Sequence, residues 1–99
     1  MSTLSIDLQD GFADDTVVIS VDGQEVFGQS GVRTRRTIGW AASVETPVGT
    51  APVRVEVSLP SRRLAATTTV NPDATPYVGV SVIDNQVRFA TSHTPFGYA

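Results

Sequence analysis

The sequence contains no cysteine and no lysine. The absence of cysteine excludes disulfides, thiolate metal ligands and cysteine nucleophiles, so a folded domain must be stabilised by packing. All the basic residues are arginine, and the formal net charge is −3. Sequence-independent nucleic-acid binding requires a basic surface that neutralises several phosphates, and we therefore expect no nucleic-acid partner.

Long hydrophobic runs are also missing. No stretch of about 18 apolar residues could span a bilayer, and residues 1–7 lack the basic and apolar regions of a signal peptide. The sequence therefore predicts a cytoplasmic protein with no membrane span.

Helical periodicity is poor, whereas apolar and polar residues alternate with a period of two through most of the chain. A length of 99 residues, of which 40% are hydrophobic and 17% charged, is typical of one folded domain, residues 1–99. Seven or eight short strands separated by turn signals predict an all-β fold, an antiparallel β-sandwich. A small β-barrel is the alternative.

Strands are predicted where this alternation or β-branched residues dominate. Residues 53–59 form the clearest amphipathic pattern, with four apolar side chains on one face, and Pro60 ends it. The other predicted strands are residues 4–8, 16–21, 43–46, 64–70, 77–83 and 86–92.

Asp22-Gly23 predicts a two-residue hairpin, because a type I′ turn requires positive φ at both central residues. Closing the hairpin on this turn pairs Ile19 with Val26 and Val18 with Phe27. Both faces of the hairpin then carry apolar side chains near Val18 and Phe27. We therefore expect the outer Val18/Phe27 pair to contact a second layer or a partner.

Asp84-Asn85 predicts a second hairpin. This turn pairs Val82 with Val87 and Val80 with Phe89, so that matched apolar side chains share one face. Moving the turn by one residue would lose that match, and we therefore expect the first register.

Residues 28–31 interrupt the strand pattern, and residues 32–38 are predicted to run as an extended segment. This segment carries Arg33, Arg35 and Arg36, the densest positive cluster of the chain. Arg33 and Arg35 would project from the same face and could bind an anion or carboxylates. A solvated or internally paired face is the alternative.

Residues 10–15 predict a loop rich in aspartate. Asp10, Asp14 and Asp15 could supply oxygen ligands for calcium, although their spacing does not match an EF-hand. Loop aspartates more commonly cap turns and remain solvated. We therefore predict no metal site and keep calcium as the alternative.

No catalytic motif is present. The single histidine, His93, lies near a tail containing proline and glycine, and no nucleophile motif accompanies it. Residues 28–31 lack the lysine and the helix that a phosphate-binding loop requires. The sequence therefore predicts a protein that is not an enzyme and that needs no cofactor.

Aromatic residues suggest two further surfaces. Trp40 and Tyr77 could form a platform for carbohydrate, with core packing as the alternative. The C-terminal residues Phe96 and Tyr98 make the tail apolar, so we expect it to dock, either on its own domain or on a neighbouring subunit.

Charge is distributed unevenly along the chain. Residues 1–25 carry six acidic residues and no arginine, whereas residues 33–63 carry six arginines and two glutamates. Regions of opposite sign can pair within one domain, or between subunits in a heterologous contact.

A resemblance to known proteins is carried by four segments: Val21-Asp22-Gly23-Gln24-Glu25-Val26, Leu8-Gln9-Asp10-Gly11-Phe12, Thr75-Pro76-Tyr77 and Pro95-Phe96-Gly97-Tyr98. Together they resemble a group of small uncharacterised bacterial β-sandwich proteins, for which the resemblance implies no known activity. The hairpin and the strand of residues 53–59 also resemble transthyretin-like and PEGA-like modules, which implies a binding or surface-association role.

The sequence thus favours a non-catalytic structural or protein-interaction module that self-associates. A ligand-binding module for carbohydrate or calcium is the alternative.

Overall fold

The computed structural model describes residues 2–35 and 37–97 of the chain. Within them the chain forms eight β-strands and one short 3-10 helix. The strands are β1 (Ser2–Leu8), β2 (Asp15–Val21), β3 (Gln24–Val32), β4 (Ala42–Val48), β5 (Val53–Leu59), β6 (Leu64–Val70), β7 (Tyr77–Ile83) and β8 (Gln86–Ser92). The 3-10 helix, Pro60–Arg62, is the only helical element of the described residues, and it is too short to cross a membrane.

The strands form two four-stranded sheets. Sheet A has the order β4-β1-β7-β8, and sheet B has the order β3-β2-β5-β6. Each sheet ends in two edge strands, so the fold is a β-sandwich, as the sequence predicted, and not a closed barrel. One pair departs from the antiparallel prediction, because β1 and β7 are parallel. They lie far apart in the chain and no hairpin constrains their direction.

The core lies between the inner faces of the two sheets. The alternating residues of β5 supply four of its side chains, which confirms this strand as the clearest amphipathic element. The side chains that are less than 2% exposed are Leu4, Ile6, Leu8, Val17, Ile19, Val55, Val57, Leu59, Val70, Val78 and Val80.

The second hairpin has the predicted register. Val82 is opposite Val87 and Val80 is opposite Phe89. Asp84-Asn85 forms the turn, with φ of 52° and 58°. Turn chemistry and the apolar pattern specify the same pairing here, and the prediction is confirmed.

The first hairpin has the predicted turn but not the predicted register. Asp22-Gly23 has positive φ at both residues. A β-bulge then shifts the pairing, so that Ile19 lies opposite Phe27 and Val18 lies opposite Gly28. The prediction of a Val18/Phe27 pair is therefore wrong.

The physical reason for this shift is burial. The bulge makes Phe27 the neighbour of the buried Ile19, and both Val26 and Phe27 pack against the core. In the unbulged register Phe27 would share the outer face with Val18. The extra residue of the bulge thus moves an aromatic side chain from the solvent side to the core side of the sheet.

The segment that follows also differs from the prediction. Residues 28–31 do not interrupt the strand, because β3 continues to Val32 and pairs with β2. Residues 33–35, 37 and 38 of the predicted extended segment instead belong to a loop, which is closed by a bridge between Arg35 and Trp40. The Arg35 N–H donates to the Trp40 carbonyl at 2.9 Å, and the Ile38 N–H donates back to the Arg35 carbonyl at 3.1 Å.

Candidate functional site

A groove of about 700 Å³ lies over the outer face of sheet A. Its floor is polar, because the outward positions of β1 and β4 carry hydroxyl and carboxylate side chains. Thr3, Ser5 and Asp7 come from β1, and Ser43 and Glu45 come from β4. Asp7 lies opposite Ser43, and Ser5 lies opposite Glu45, across the antiparallel pair. The floor is therefore set by the alternation of two neighbouring strands.

The walls of this groove are more apolar than its floor. Pro76 and Tyr77 stand at the start of β7, where Tyr77 is aligned with Ser5 of β1. Pro95 and Phe96 of the C-terminal tail line the same groove, and Phe96 is half-buried. The described part of the tail thus lies against its own domain. Tyr98, its other predicted contact residue, lies outside the described residues.

The groove is acidic. Asp7, Glu45 and Asp73 line it, whereas none of the described lining residues is an arginine. Like charges gathered in a concave surface favour a ligand of the opposite sign, because the low-dielectric walls focus their field. This arrangement combines carboxylates with two half-buried aromatic side chains, Tyr77 and Phe96.

The structure separates the two aromatic residues that the sequence suggested for carbohydrate. Trp40 lies in the loop next to the end of β1, where the Ala41 N–H donates to the Leu8 carbonyl at 2.8 Å. Trp40 is not among the residues that line the groove, whereas Tyr77 shares it with Phe96. The aromatic residue that lines the groove with Tyr77 is therefore Phe96 of the tail, which the sequence analysis treated as a separate surface.

The predicted arginine cluster lies on an exposed loop. Arg33 approaches Asp14, with Nη2 and Oδ1 4.0 Å apart and both side chains 73% exposed. Exposed pairs of this kind contribute little to stability. Arg35 is exposed in the same loop. Arg36 lies outside the described residues.

Asp15 is the single buried charged residue among those described, with 3% of its surface exposed. Its carboxylate accepts two hydrogen bonds from Arg62, from Nε to Oδ1 at 2.8 Å and from Nη2 to Oδ2 at 2.7 Å. The Ala13 N–H donates to Oδ2 at 2.8 Å, and Arg62 Nη2 also donates to the Gly11 carbonyl at 2.9 Å. This pair connects the loop before β2 to the 3-10 helix after β5.

The three aspartates suggested for calcium do not converge. Asp15 is directed at Arg62, and Asp14 is directed at Arg33. The Asp10 backbone carbonyl accepts a hydrogen bond from the Val82 N–H at 2.8 Å. Among residues 2–35 and 37–97, no group of three or more histidine, aspartate or glutamate side chains is placed to hold a metal ion.

The pKa of Asp15 is lowered. Burial alone would raise it, but hydrogen bonds from Arg62 and from the Ala13 N–H outweigh that effect. A depressed carboxyl pKa stabilises the fold above the unfolded-state pKa, here about 3.8, and this contribution is lost as the pH falls through the folded-state value. We therefore expect stability to fall in acid below about pH 4.

Urea denaturation between pH 7 and pH 2 measures this dependence, and an Asp15→Asn variant is the control. The variant should be less stable at neutral pH and should lose less stability on acidification. An equal loss in both proteins would contradict the assignment to Asp15.

The four edge strands differ in how they are protected from further pairing. β3 carries the bulge, β4 carries Pro47, and β8 carries Arg88. β6 has none of these features, because its seven residues include no charged residue, proline or glycine and pair with β5 without a register shift. Bulges, prolines and charges are the devices by which natural sheets prevent edge pairing.

Among the described residues, the groove and the β6 edge are thus two candidate binding surfaces. Alternation in the predicted strand of residues 4–8 indicates that Ser5 and Asp7 face outward, but it does not indicate that Glu45 and Phe96 join them. Comparison of the chain with protein-family models, with curated proteins and with solved structures found no match.

Proposed function

We propose that this β-sandwich is a non-catalytic interaction module that binds an extended, basic peptide segment of a partner protein in the groove over sheet A. The observation that carries the proposal is the groove itself, about 700 Å³ in volume, with carboxylates on its floor and rim and apolar walls. An extended peptide directs alternate side chains to the same face, so every second side chain can enter the groove.

The charge of the groove determines the class of peptide. Glu45 on the floor and Asp73 on the rim attract arginine or lysine side chains, and electrostatic complementarity selects the partner and its orientation. Tyr77 and Phe96 support the same ligand, because a guanidinium group also binds favourably over an aromatic face.

The proposal predicts that a peptide alternating arginine with serine binds the full chain and that a matched glutamate/serine peptide does not. The double variant Glu45→Gln/Asp73→Asn should bind the arginine peptide about tenfold more weakly, because two charge pairs together contribute roughly 1.4 kcal/mol. Isothermal titration calorimetry at low and high salt measures both effects, and binding should weaken as salt increases.

A charge-matched variant distinguishes the effect of the groove carboxylates on peptide binding from the effect of net charge. Glu25→Gln/Asp84→Asn removes the same two negative charges at exposed positions that do not line the groove. Its affinity should remain close to that of the unmodified protein. An equal loss in both double variants, or no binding of the arginine peptide, would overturn the proposal.

A carbohydrate ligand is the second candidate, and the presence of Tyr77 and Phe96 in one groove with hydroxyl and carboxylate side chains favours it. Aromatic rings offer flat apolar surfaces, and carboxylates accept hydrogen bonds from sugar hydroxyls. Binding on a glycan array that is lost in Phe96→Ser, together with no binding of the arginine peptide, would favour this candidate over the first.

A further inference from the structure

One edge of the sandwich has the properties of a pairing site. β6 (Leu64–Val70) ends sheet B and pairs with β5 along its full length. Every other residue of the strand, Ala65, Thr67 and Thr69, is exposed. A regular edge strand presents a row of N–H and C=O groups to solvent and is a template for another strand.

We propose that two copies of this chain pair through β6 in antiparallel orientation, with Thr67 of one copy opposite Thr67 of the other. The two B sheets then form one continuous eight-stranded sheet. This interface is separate from the groove over sheet A, and the dimer does not depend on what the groove binds.

The sequence of β6 is complementary to itself in this register. Leu64 lies opposite Val70 of the second copy, Ala65 lies opposite Thr69, and Ala66 lies opposite Thr68. Residues opposite each other in a sheet share a face, so the inward side chains of one strand meet the inward side chains of the other. Apolar groups meet at the ends of the interface, and threonines meet at its centre.

Electrostatics supports a second copy as the occupant. Like charges directly opposite each other destabilise a strand pair, and β6 contains no charge that its own copy would oppose. Paired threonines and β-branched residues are favourable across strands. The two-fold contact uses the same surface on both copies and therefore closes at a dimer.

The other edges do not offer an equivalent surface. The bulge in β3 shifts its register at Ile19/Ser20, and Pro47 in β4 has no N–H to donate. β8 presents Arg88 on its exposed face. β6 is therefore the edge at which a flat, uncharged strand can be extended.

Cysteine cross-linking tests the register, because the chain has no cysteine of its own. In Thr67→Cys the two introduced thiols lie opposite each other, at the Cα separation of about 4.5–5.5 Å found in antiparallel pairs, which a disulfide can bridge. Mild oxidation of the folded protein should give a covalent dimer.

Ala65→Cys is the matched control, because residue 65 is exposed on the same face of the same strand. In the proposed register two copies of residue 65 are about 13 Å apart, since each residue of a strand advances about 3.3 Å. Ala65→Cys alone should cross-link at least about tenfold more slowly. An equimolar mixture of Ala65→Cys and Thr69→Cys should yield the mixed dimer.

Sedimentation equilibrium of the unmodified protein, from micromolar to millimolar concentration, tests dimerisation without any cross-link. Thr67→Lys should shift the protein to monomer, whereas Thr50→Lys, which adds the same charge in the exposed loop before β5, should not. A monomer at all concentrations would overturn the proposal. Equal cross-linking of Thr67→Cys and Ala65→Cys would overturn the register.

These results are independent of the groove. Peptide titration measures binding in the groove on sheet A, and sedimentation measures dimerisation through the edge of sheet B. A dimer that binds no arginine peptide would overturn the proposed function alone, and a monomer that binds it would overturn the dimer alone.

Discussion

Replacing Arg62 with alanine is expected to lower the free energy of unfolding by about 3–5 kcal/mol. The substitution removes two hydrogen bonds and the counter-charge from Asp15, which is 3% exposed. The Asp15 carboxylate would keep the Ala13 N–H as a donor but would remain buried without a counter-charge. Urea denaturation at pH 7 measures the change.

Arg33→Ala is the matched control for this prediction. Arg33 also faces an aspartate, but both side chains are 73% exposed and 4.0 Å apart. Its removal should change the free energy of unfolding by no more than about 1 kcal/mol, the range found for exposed ion pairs. Similar losses of unfolding free energy in Arg62→Ala and Arg33→Ala would contradict the prediction that burial makes the Asp15–Arg62 pair more stabilising than the exposed pair.

Gly11→Ala is expected to destabilise the protein by about 3 kcal/mol or more, through strain and steric overlap together. Gly11 has φ of +89°, and a Cβ built there would lie 1.9 Å from the Val82 carbonyl oxygen. The overlap is with backbone, which cannot rotate away. Residues 10 and 11 also hold the loop against β7, since the Val82 N–H donates to the Asp10 carbonyl.

The variant Gly23→Ala separates the effect of backbone strain from that of steric overlap. Gly23 has a similar φ of +84°, but no heavy atom lies within 4 Å of the position that its Cβ would occupy. This variant should therefore show only the cost of the left-handed conformation, about 1–2 kcal/mol. Thermal or urea unfolding of both variants gives the difference. Equal losses would mean that the loop moves away from β7 at little cost.

The local sequence pattern was sufficient to predict the structure of segments that depend on one strand or one turn alone. The bounds of β5, β6, β7 and β8 follow from alternation and from the prolines and turn residues between them. The hairpin at Asp84-Asn85 is predictable because its turn chemistry and its apolar pairs agree. The hairpin at Asp22-Gly23 is predictable only at the turn, because the bulge beyond the turn depends on how Phe27 packs against the core.

The candidate site was only partly predictable for a related reason. Alternation indicates that Ser5 and Asp7 face away from the core, and the apolar tail indicates that Phe96 docks. Neither pattern indicates that β4 lies beside β1, which is what brings Glu45 to the floor of the groove. Strand order depends on pairings between distant segments, and no single segment encodes them.

Local sequence pattern specifies that the protein is built from short β-strands, where most of them run, and which side of each faces the core. These properties follow from side-chain alternation and turn residues, which act over a few neighbouring positions. Long-range packing is what makes β1 and β7 run parallel, places Arg62 beside Asp15, and leaves β6 as an edge strand without a protecting charge, proline or bulge. Each depends on contacts between residues far apart in the chain, which form only when both sheets pack on one core.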